Sequence, residues 1–299
     1  MLKKLRLLKN RLFNHRSFPK NEISFVVIGN CQSRIIADLL LEKNSRFRIT
    51  KVIVAHLYKN HNDGIYEVLN DADYIITQNI SKQFVGIDTD TILNRYGYKT
   101  VRVPNLFYLG YHPDWCYLPI VEGSRCQSLL GDYHNKTILN TYTEGQSEEE
   151  ALRRYNSIKY NEEQYLHVAE DSFVEFKERE SKCDIKMSDV IKDALNSNSV
   201  LFHSFNHPNK WLLNVQVNRI IRFLGLENHN TETNGECLDN IKLRVNPIVN
   251  IKSSDLNCAS NKVLDDRFFI SECFKVYKDN NKFIEAYISR ELVKSKGKG

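Results

Sequence analysis

The stretch that decides the fold is Ile23-Ser24-Phe25-Val26-Val27-Ile28-Gly29-Asn30-Cys31-Gln32. A short apolar run that ends at a glycine is typical of a buried strand. Residues 33–42 follow with the period of an amphipathic helix, since Ile35, Ile36, Leu39 and Leu40 fall on one face. The order strand, tight turn, helix predicts the first unit of a parallel α/β sheet.

The same alternation continues along the chain. Further strands are predicted at 49–55, 74–77 and 100–103, with helices at 65–69 and 89–96 between them. Strands that alternate with short helices indicate a parallel sheet with right-handed crossovers. We therefore predict an α/β subdomain over residues 21–115.

The rest of the chain is predicted to be mainly helical. Helices are expected at 148–179, at 187–195 with Ser188 as a possible cap, at 211–226 closed by Gly225, and at 268–292; a strand is expected at 200–202 and loops over 228–262. The predicted organisation is a basic arm (1–20), the α/β subdomain (21–115) and a mainly helical part (116–299). That last part contributes the loop Phe205-Asn206-His207-Pro208.

Composition and charge exclude several classes of protein. The 299 residues are 41% hydrophobic and 26% charged, which is typical of a globular protein. The net charge is +5, but residues 1–20 carry seven basic side chains and no acid, so the remainder has a charge of 5 − 7 = −2. A body that is not basic lacks the usual electrostatic footprint of a nucleic-acid-binding protein.

The basic arm itself allows two interpretations. Leucines at 2, 5, 8 and 12 alternate with its bases, so an amphipathic helix could lie on an anionic membrane surface. The alternative is a solvated arm, or a helix docked on the body. No apolar run approaches the about 20 residues that span a bilayer. The seven cysteines include no C-x-x-C pair, which favours reduced thiols, and we expect a cytoplasmic protein with peripheral contact at the inner face of the membrane.

The turn Gly29-Asn30-Cys31-Gln32 is the strongest candidate site. A thiol at the start of a helix lies beside backbone N–H groups and the positive end of the helix dipole, so a lowered pKa is expected. The same N–H groups could stabilise an oxyanion. Gln78 and Asn79 end the third predicted strand and could donate to that oxyanion or to a ligand amide. Alternatively, Cys31 is a small buried filler and the two amides are turn residues.

Two histidine-proline segments are weaker candidates. His207 lies between a predicted strand and a strong helix, where an imidazole can act as general base and where Lys210 and the helix N-terminus could meet a phosphate. The alternative is a loop imidazole bonded to a backbone carbonyl. His112 follows the fourth predicted strand within an aromatic segment, a composition more typical of a core. Nucleotide, hydrolase and metalloprotease motifs are missing, and the histidines are too scattered to indicate a metal site.

Taken together, these segments resemble the WcbI-like capsule-biosynthesis acetyltransferases. Over about residues 23–226, the motifs run in that family's order: Gly29-Asn30-Cys31-Gln32, Ile76-Thr77-Gln78, Gly110-Tyr111-His112-Pro113-Asp114 and Phe205-Asn206-His207-Pro208. The resemblance implies a principally helical, cradle-like fold around a small Rossmann- or flavodoxin-like α/β subdomain. It also implies a deep pocket for coenzyme A and O-acetylation of a surface-polysaccharide sugar.

The resemblance assigns roles to individual residues. By motif, Cys31 and His207 are the expected catalytic residues, with Gln78 and His112 as their neighbours. Acetyl-CoA and a polysaccharide, or a nucleotide- or lipid-linked sugar, are the expected partners. The residues expected to contact the cofactor are Gly29, Asn30, Gln32, Arg34, Gln78, Asn79, His112 and Lys210; for Arg34 the alternative is a solvated helix charge.

Two routes and two other functions stay open at the level of sequence. The acetyl group passes either through Cys31 or directly to the sugar, with His207 as base in both cases. A small thiol/His hydrolase that deacylates glycans would use the same turn without coenzyme A. A non-catalytic module of the glycan machinery would need neither residue for chemistry.

Overall fold

The computed structural model describes residues 22–58, 64–229, 237–250 and 265–296, so the predicted basic arm lies outside the described residues. The predicted alternation of strands and helices is confirmed. The first part of the chain contains β1 (Ile23–Gly29), α1 (Gln32–Lys43), β2 (Phe47–Val54), a 3₁₀ turn (Ala55–Leu57), α2 (Ile65–Asp71), β3 (Tyr74–Thr77), α3 (Thr89–Tyr96) and β4 (Thr100–Arg102).

These four strands form one parallel sheet in the order β2-β1-β3-β4. Residues 25–28 of β1 are almost wholly buried, as expected for a central strand covered on both faces. The chain leaves β1 towards β2 and then crosses to β3 on the other side. The carboxyl ends of β1 and β3 therefore flank the point where the winding reverses, and ligands bind there in open α/β sheets.

The later elements are mostly helical. They are β5 (Trp115–Tyr117), β6 (Tyr133–Asn135), α4 (Lys136–Thr143), α5 (Glu148–Asn156), α6 (Ile158–Tyr165), α7 (Val168–Ser181), α8 (Ser188–Asn196), β7 (Phe202–Ser204), β8 (His207–Pro208), α9 (Lys210–Leu224), α10 (Asp266–Asp279) and α11 (Asn281–Lys296). None of the helices in the described ranges combines the length and apolarity needed to cross a membrane.

Several predicted elements are divided or moved. The predicted helix 148–179 is three helices; Ser157 accepts from Tyr160 N at 3.2 Å and so opens α6. The predicted helix 268–292 is broken at Asn280. Met187, not Ser188, occupies the cap position of α8. The capping acceptor is the Glu180 carboxylate, which takes the N–H groups of both residues, at 2.7 and 3.0 Å.

The chain divides into two compact units, and the division differs from the predicted boundary at 115. Unit 1 holds the sheet up to Phe107 and two later segments, Val174–Ser197 and His207–Asp239. Unit 2 consists of Tyr108–Phe173, Asn198–Asn206 and the part from Asn240 onwards. Long-range bonds within unit 1 explain the return of the later segments. For example, Gln216 of α9 donates to Pro104 O at 2.9 Å.

Candidate functional site

The Cys31 turn lies at the carboxyl edge of the parallel sheet in unit 1. β1 ends at Gly29 and α1 begins at Gln32, so Asn30 and Cys31 form the whole connection. Gln78 and Asn79 directly follow β3, the neighbour of β1. The sequence-based grouping of these residues at one edge agrees with the observed topology.

Two buried glutamines hold the turn in place. Gln78 Oε1 accepts from Asn30 N at 2.8 Å, and Gln78 Nε2 donates to Gln32 Oε1 at 2.9 Å. Gln78 is 2% exposed and Gln32 is fully buried. The amide of Gln78 is thus already bonded within the protein. The structure makes Gln78 a residue that positions the turn, rather than one that donates to an oxyanion.

The turn is also bonded to the segment that follows β4. Gln32 Nε2 donates to Leu106 O at 2.8 Å, and Gln32 Oε1 accepts from Leu106 N at 3.2 Å. Asn30 Nδ2 donates to Asn105 Oδ1 at 2.9 Å. Gly29 is required because a Cβ atom there would lie 2.6 Å from Gln78 Oε1. Three of the four motif residues therefore fix the backbone around the fourth.

Cys31 is half-buried immediately before the first turn of α1. Burial raises the pKa of its thiol, while the N–H groups of Cys31 and Gln32, which face the sulfur, lower the pKa by a smaller amount. The expected net lowering is therefore not found, because desolvation outweighs the backbone dipoles. The turn presents a thiol whose thiolate form is disfavoured by burial, beside the N–H of Cys31 and the N–H of Gln32, which also donates to Asn30 Oδ1 at 2.9 Å.

Arg34 and Asn79, two exposed residues of this edge that were predicted to contact the cofactor, have different surroundings. Arg34 lies exposed in the first turn of α1. Asn79 Nδ2 donates to Arg179 O at 3.3 Å and contacts Cys183 Sγ at 3.7 Å. Asn79 therefore ties α7 to the carboxyl end of β3, and Arg34 alone of the pair is left to meet solvent or a ligand.

Lys210 lies away from the Cys31 turn. Its Nζ is 3.9 Å from Glu42 Oε1, in the last turn of α1. Glu42 lies ten residues after Gln32, which is about 15 Å along a helix with a rise of 1.5 Å per residue. The predicted contact of Lys210 with a cofactor phosphate stays a prediction. His207 is half-buried in β8, two residues before Asn209, the cap of α9; its role as base stays a prediction.

His112 lies in the core of unit 2. It is fully buried, and burial lowers its pKa to about 3, with His203 adding a smaller effect in the same direction. The predicted contact with a cofactor is therefore not accessible in this conformation. The following Asp114 is also buried and accepts from Asn135 Nδ2 at 2.6 Å. This motif is part of the packing of unit 2.

The Phe205-Asn206 half of the last motif also belongs to unit 2. Asn206 Oδ1 accepts from Tyr133 Oη at 2.7 Å and from Ser204 Oγ at 2.9 Å. The ring of Phe205 packs against Tyr117 and Tyr133, with centroids 5.0 and 5.2 Å away. These contacts hold the backbone immediately before His207.

Sequence reasoning missed His56. Val54 is the register partner of Gly29 across the β1–β2 pair, and His56 follows two residues later, just as Cys31 follows Gly29. The imidazole is exposed at the same edge of the sheet. The sequence signal for His56 was its position directly after a predicted strand, the same kind of position that identified Cys31 as a candidate. In the described ranges, no three His, Cys, Asp or Glu side chains are grouped to hold a metal ion.

Comparison with known proteins agrees with this architecture. The family model of the polysaccharide biosynthesis enzyme WcbI matches residues 24–229, more than half of the chain. The chain is also similar to a solved structure of WcbI, described as a novel polysaccharide biosynthesis enzyme in a native form without a disulfide bond between coenzyme A and a cysteine. That likeness has a TM-score of 0.71 and 18% identity and covers 90% of this chain and 94% of that one, and it shows the shared fold. No curated protein matches the chain. The chain belongs to the WcbI family of polysaccharide biosynthesis enzymes.

Proposed function

We propose that the chain is a coenzyme A-dependent O-acetyltransferase. It transfers the acetyl group of acetyl-CoA to a sugar hydroxyl of a capsular or other surface polysaccharide, presented as polymer or as a nucleotide- or lipid-linked sugar. The observation that carries the proposal is the Cys31 turn at the reversal point of a parallel sheet, the place where such sheets bind ligands. The solved WcbI structure, described as a form without a disulfide bond between coenzyme A and a cysteine, supports the proposal, because such a bond would involve the coenzyme A thiol that carries the acetyl group.

Direct transfer suits the Cys31 environment better than an acyl-cysteine intermediate. The nucleophilic form of cysteine is the thiolate, and burial of Cys31 disfavours that form. In the direct route, His207 takes the proton of the sugar hydroxyl while its oxygen attacks the thioester carbon. The N–H group of Cys31 stabilises the oxyanion, whereas the N–H of Gln32 donates to Asn30 Oδ1 at 2.9 Å. The C–S bond then breaks, and the imidazolium returns its proton to the departing thiolate of coenzyme A.

The identity of the base is tested by three matched histidine variants. His207→Gln should lower kcat by roughly 10²–10⁴-fold, the usual worth of a positioned base, with melting temperature and coenzyme A affinity unchanged. His167→Gln, at an exposed histidine of unit 2, is the control. Loss of turnover in His56→Gln instead of His207→Gln transfers the role to His56. Full turnover in both rejects His207 and His56 as the base.

Two measurements separate the proposed function from its alternatives. Coenzyme A at 100 times its Kd should stabilise the protein by about 2.7 kcal/mol in a thermal-shift titration, whereas a glycan hydrolase predicts no shift. A non-catalytic module predicts unchanged cellular glycan O-acetylation in the His207→Gln and His56→Gln variants. Loss of acetylation while the variant protein stays folded contradicts that module.

We also propose that the enzyme works in the cytoplasm, where acetyl-CoA is available, and that residues 1–20 touch the inner face of the membrane. The +7 charge of this segment is the supporting feature. Deleting it should reduce co-sedimentation with vesicles that contain phosphatidylserine, and the difference should fade at high salt. Equal sedimentation of both proteins at low salt contradicts membrane contact.

A further inference from the structure

One face of α1 forms a stripe along the surface of unit 1 that begins beside the Cys31 turn. The members of this α1 stripe are Arg34, Asp38, Leu41 and Glu42, whose spacing i, i+4, i+7, i+8 places them on one side of the helix. The first three are exposed and Glu42 is half-buried. From Arg34 to Glu42 the helix rises by about 12 Å, at 1.5 Å per residue. The α1 stripe is therefore longer than a single sugar ring.

The far end of the α1 stripe meets the first turn of α9. The two helices pack against each other, and Lys210 Nζ lies 3.9 Å from Glu42 Oε1. Each member of this ion pair has an exposed apolar neighbour in the chain, since Leu41 is 45% exposed and Trp211 is 56% exposed. An indole ring and a leucine side chain are therefore left open to water close to one ion pair.

The charges along the α1 stripe suit sugar hydroxyl groups better than a phosphate. Within the described parts of the chain, neither the Arg34 guanidinium nor the Asp38 carboxylate takes part in an ion pair or hydrogen bond. Together they offer donors and acceptors, and a hydroxyl group can use both. At the far end, the carboxylates of Asp38 and Glu42 outnumber the one ammonium group of Lys210. That end therefore repels a diphosphate.

We propose that the α1 stripe binds an oligosaccharide acceptor, with the sugar to be acetylated at the Cys31 turn and a more distant sugar stacked on Trp211. The inference rests on the proposed function and narrows its acceptor to a sugar chain, because the far end disfavours the diphosphate of a nucleotide-linked sugar. A pyranose ring has C–H groups on its faces and hydroxyl groups around its edge. Its C–H face covers the apolar indole of Trp211, while its edge meets water and the polar groups of the stripe.

Intrinsic fluorescence tests the stacking directly, because the chain has two tryptophans and the other one, Trp115, is 1% exposed. The probe is the surface polysaccharide of the producing cell, freed of ester groups by mild base and cut into disaccharide and hexasaccharide fractions. The hexasaccharide should shift the emission to shorter wavelength by covering Trp211, and Trp211→Phe should abolish the shift. Unchanged emission at hexasaccharide concentrations that saturate turnover overturns the assignment.

Acetyl transfer to the same two fractions is the second measurement. Trp211→Ala should raise the KM for the hexasaccharide roughly tenfold, the usual effect of one stacked aromatic ring, with kcat and the KM for the disaccharide unchanged. Trp211→Phe should restore most of the loss. Tyr98→Ala is the control, since Tyr98 is an exposed aromatic residue of unit 1 that precedes β4, at the opposite edge of the sheet.

Each other outcome overturns one defined statement. An unchanged KM in Trp211→Ala, or an equal rise for both fractions, overturns the distant sugar site and leaves the proposed function standing. A hexasaccharide that shifts the emission but accepts no acetyl group overturns the proposed function and leaves the sugar site standing; neither shift nor transfer overturns both. A change of sedimentation coefficient in Trp211→Ala assigns Trp211 to a subunit interface and overturns the inference. Matching melting temperatures ensure that altered binding is not caused by unfolding.

Discussion

Replacing Gln78 by leucine should destabilise unit 1 far more than a surface change does. The side chain is 2% exposed and makes two hydrogen bonds, to Asn30 N at 2.8 Å and to Gln32 Oε1 at 2.9 Å. Leucine keeps most of the volume but can make neither bond. The variant therefore isolates the polar contribution of Gln78.

The partners that remain determine the magnitude. Gln32 Oε1 still accepts from Leu106 N at 3.2 Å in the variant. Gln32 therefore loses one ordinary hydrogen bond, which contributes about 1 kcal/mol to stability. The N–H of half-buried Asn30 loses the acceptor at 2.8 Å, and a donor left without a partner costs about 1–3 kcal/mol where water does not replace the acceptor. The expected total is about 2–4 kcal/mol, or roughly 4–16 °C in melting temperature for a unit of this size.

The assay is thermal unfolding monitored by circular dichroism, with Gln83→Leu as matched control. Gln83 is exposed in the same unit, so its replacement should change stability by less than about 0.5 kcal/mol. Coenzyme A affinity should fall in the Gln78 variant alone, because the Cys31 turn loses its support. Equal melting temperatures for the two variants would refute the account of this turn.

Three further predictions concern other sites. Burial lowers the pKa of His112 to about 3 in the folded protein, whereas in the unfolded chain this histidine binds a proton below about pH 6.5. The free energy of unfolding should therefore fall by about 2 kcal/mol at pH 5. His112→Asn should flatten the profile of melting temperature between pH 7.5 and 5. In Gly110→Ala, the new Cβ would lie 2.1 Å from the Tyr108 ring, so the melting temperature should fall. Adding Tyr108→Leu to this variant should restore part of the lost melting temperature. Cys31→Ser should retain acetyl transfer within roughly tenfold if transfer is direct, and a loss beyond about 10³-fold would indicate an acyl-cysteine intermediate.

Local sequence patterns were sufficient to predict the parallel sheet of unit 1, but they were insufficient to predict the short strands of unit 2. β1, β3 and α3 follow from apolar runs and helical periods that need no distant partner. β5 and β6 contain three residues each, too few for a period of two to be recognised. β6 also ends in Asn135, a polar residue buried because it donates to Asp114, 21 positions away. A partner at that distance leaves no trace in the local pattern.

The same limit explains the outcome at the site. The Cys31 turn and Gln78 could be located from the sequence because each directly follows a predicted parallel strand, and parallel strands end at a common edge. Their roles could not be assigned in this way, since the direction of the Gln78 amide depends on Gln32, 46 positions earlier. Likewise, Glu42 determines where Lys210 points, and the packing of unit 2 encloses His112.

The construction of the Cys31 turn favours an oxyanion site over a covalent nucleophile. Gly29, Asn30 and Gln32 hold the backbone of the turn, and Asn30 Oδ1 accepts the N–H of Gln32 at 2.9 Å, so the N–H of Cys31 needs no rearrangement when charge develops nearby. Dipoles fixed in advance stabilise a transition state most where water is excluded. The same exclusion of water raises the pKa of the Cys31 thiol and weakens it as a nucleophile. One property, burial within a rigid hydrogen-bonded frame, thus assists the direct route and opposes the acyl-cysteine route.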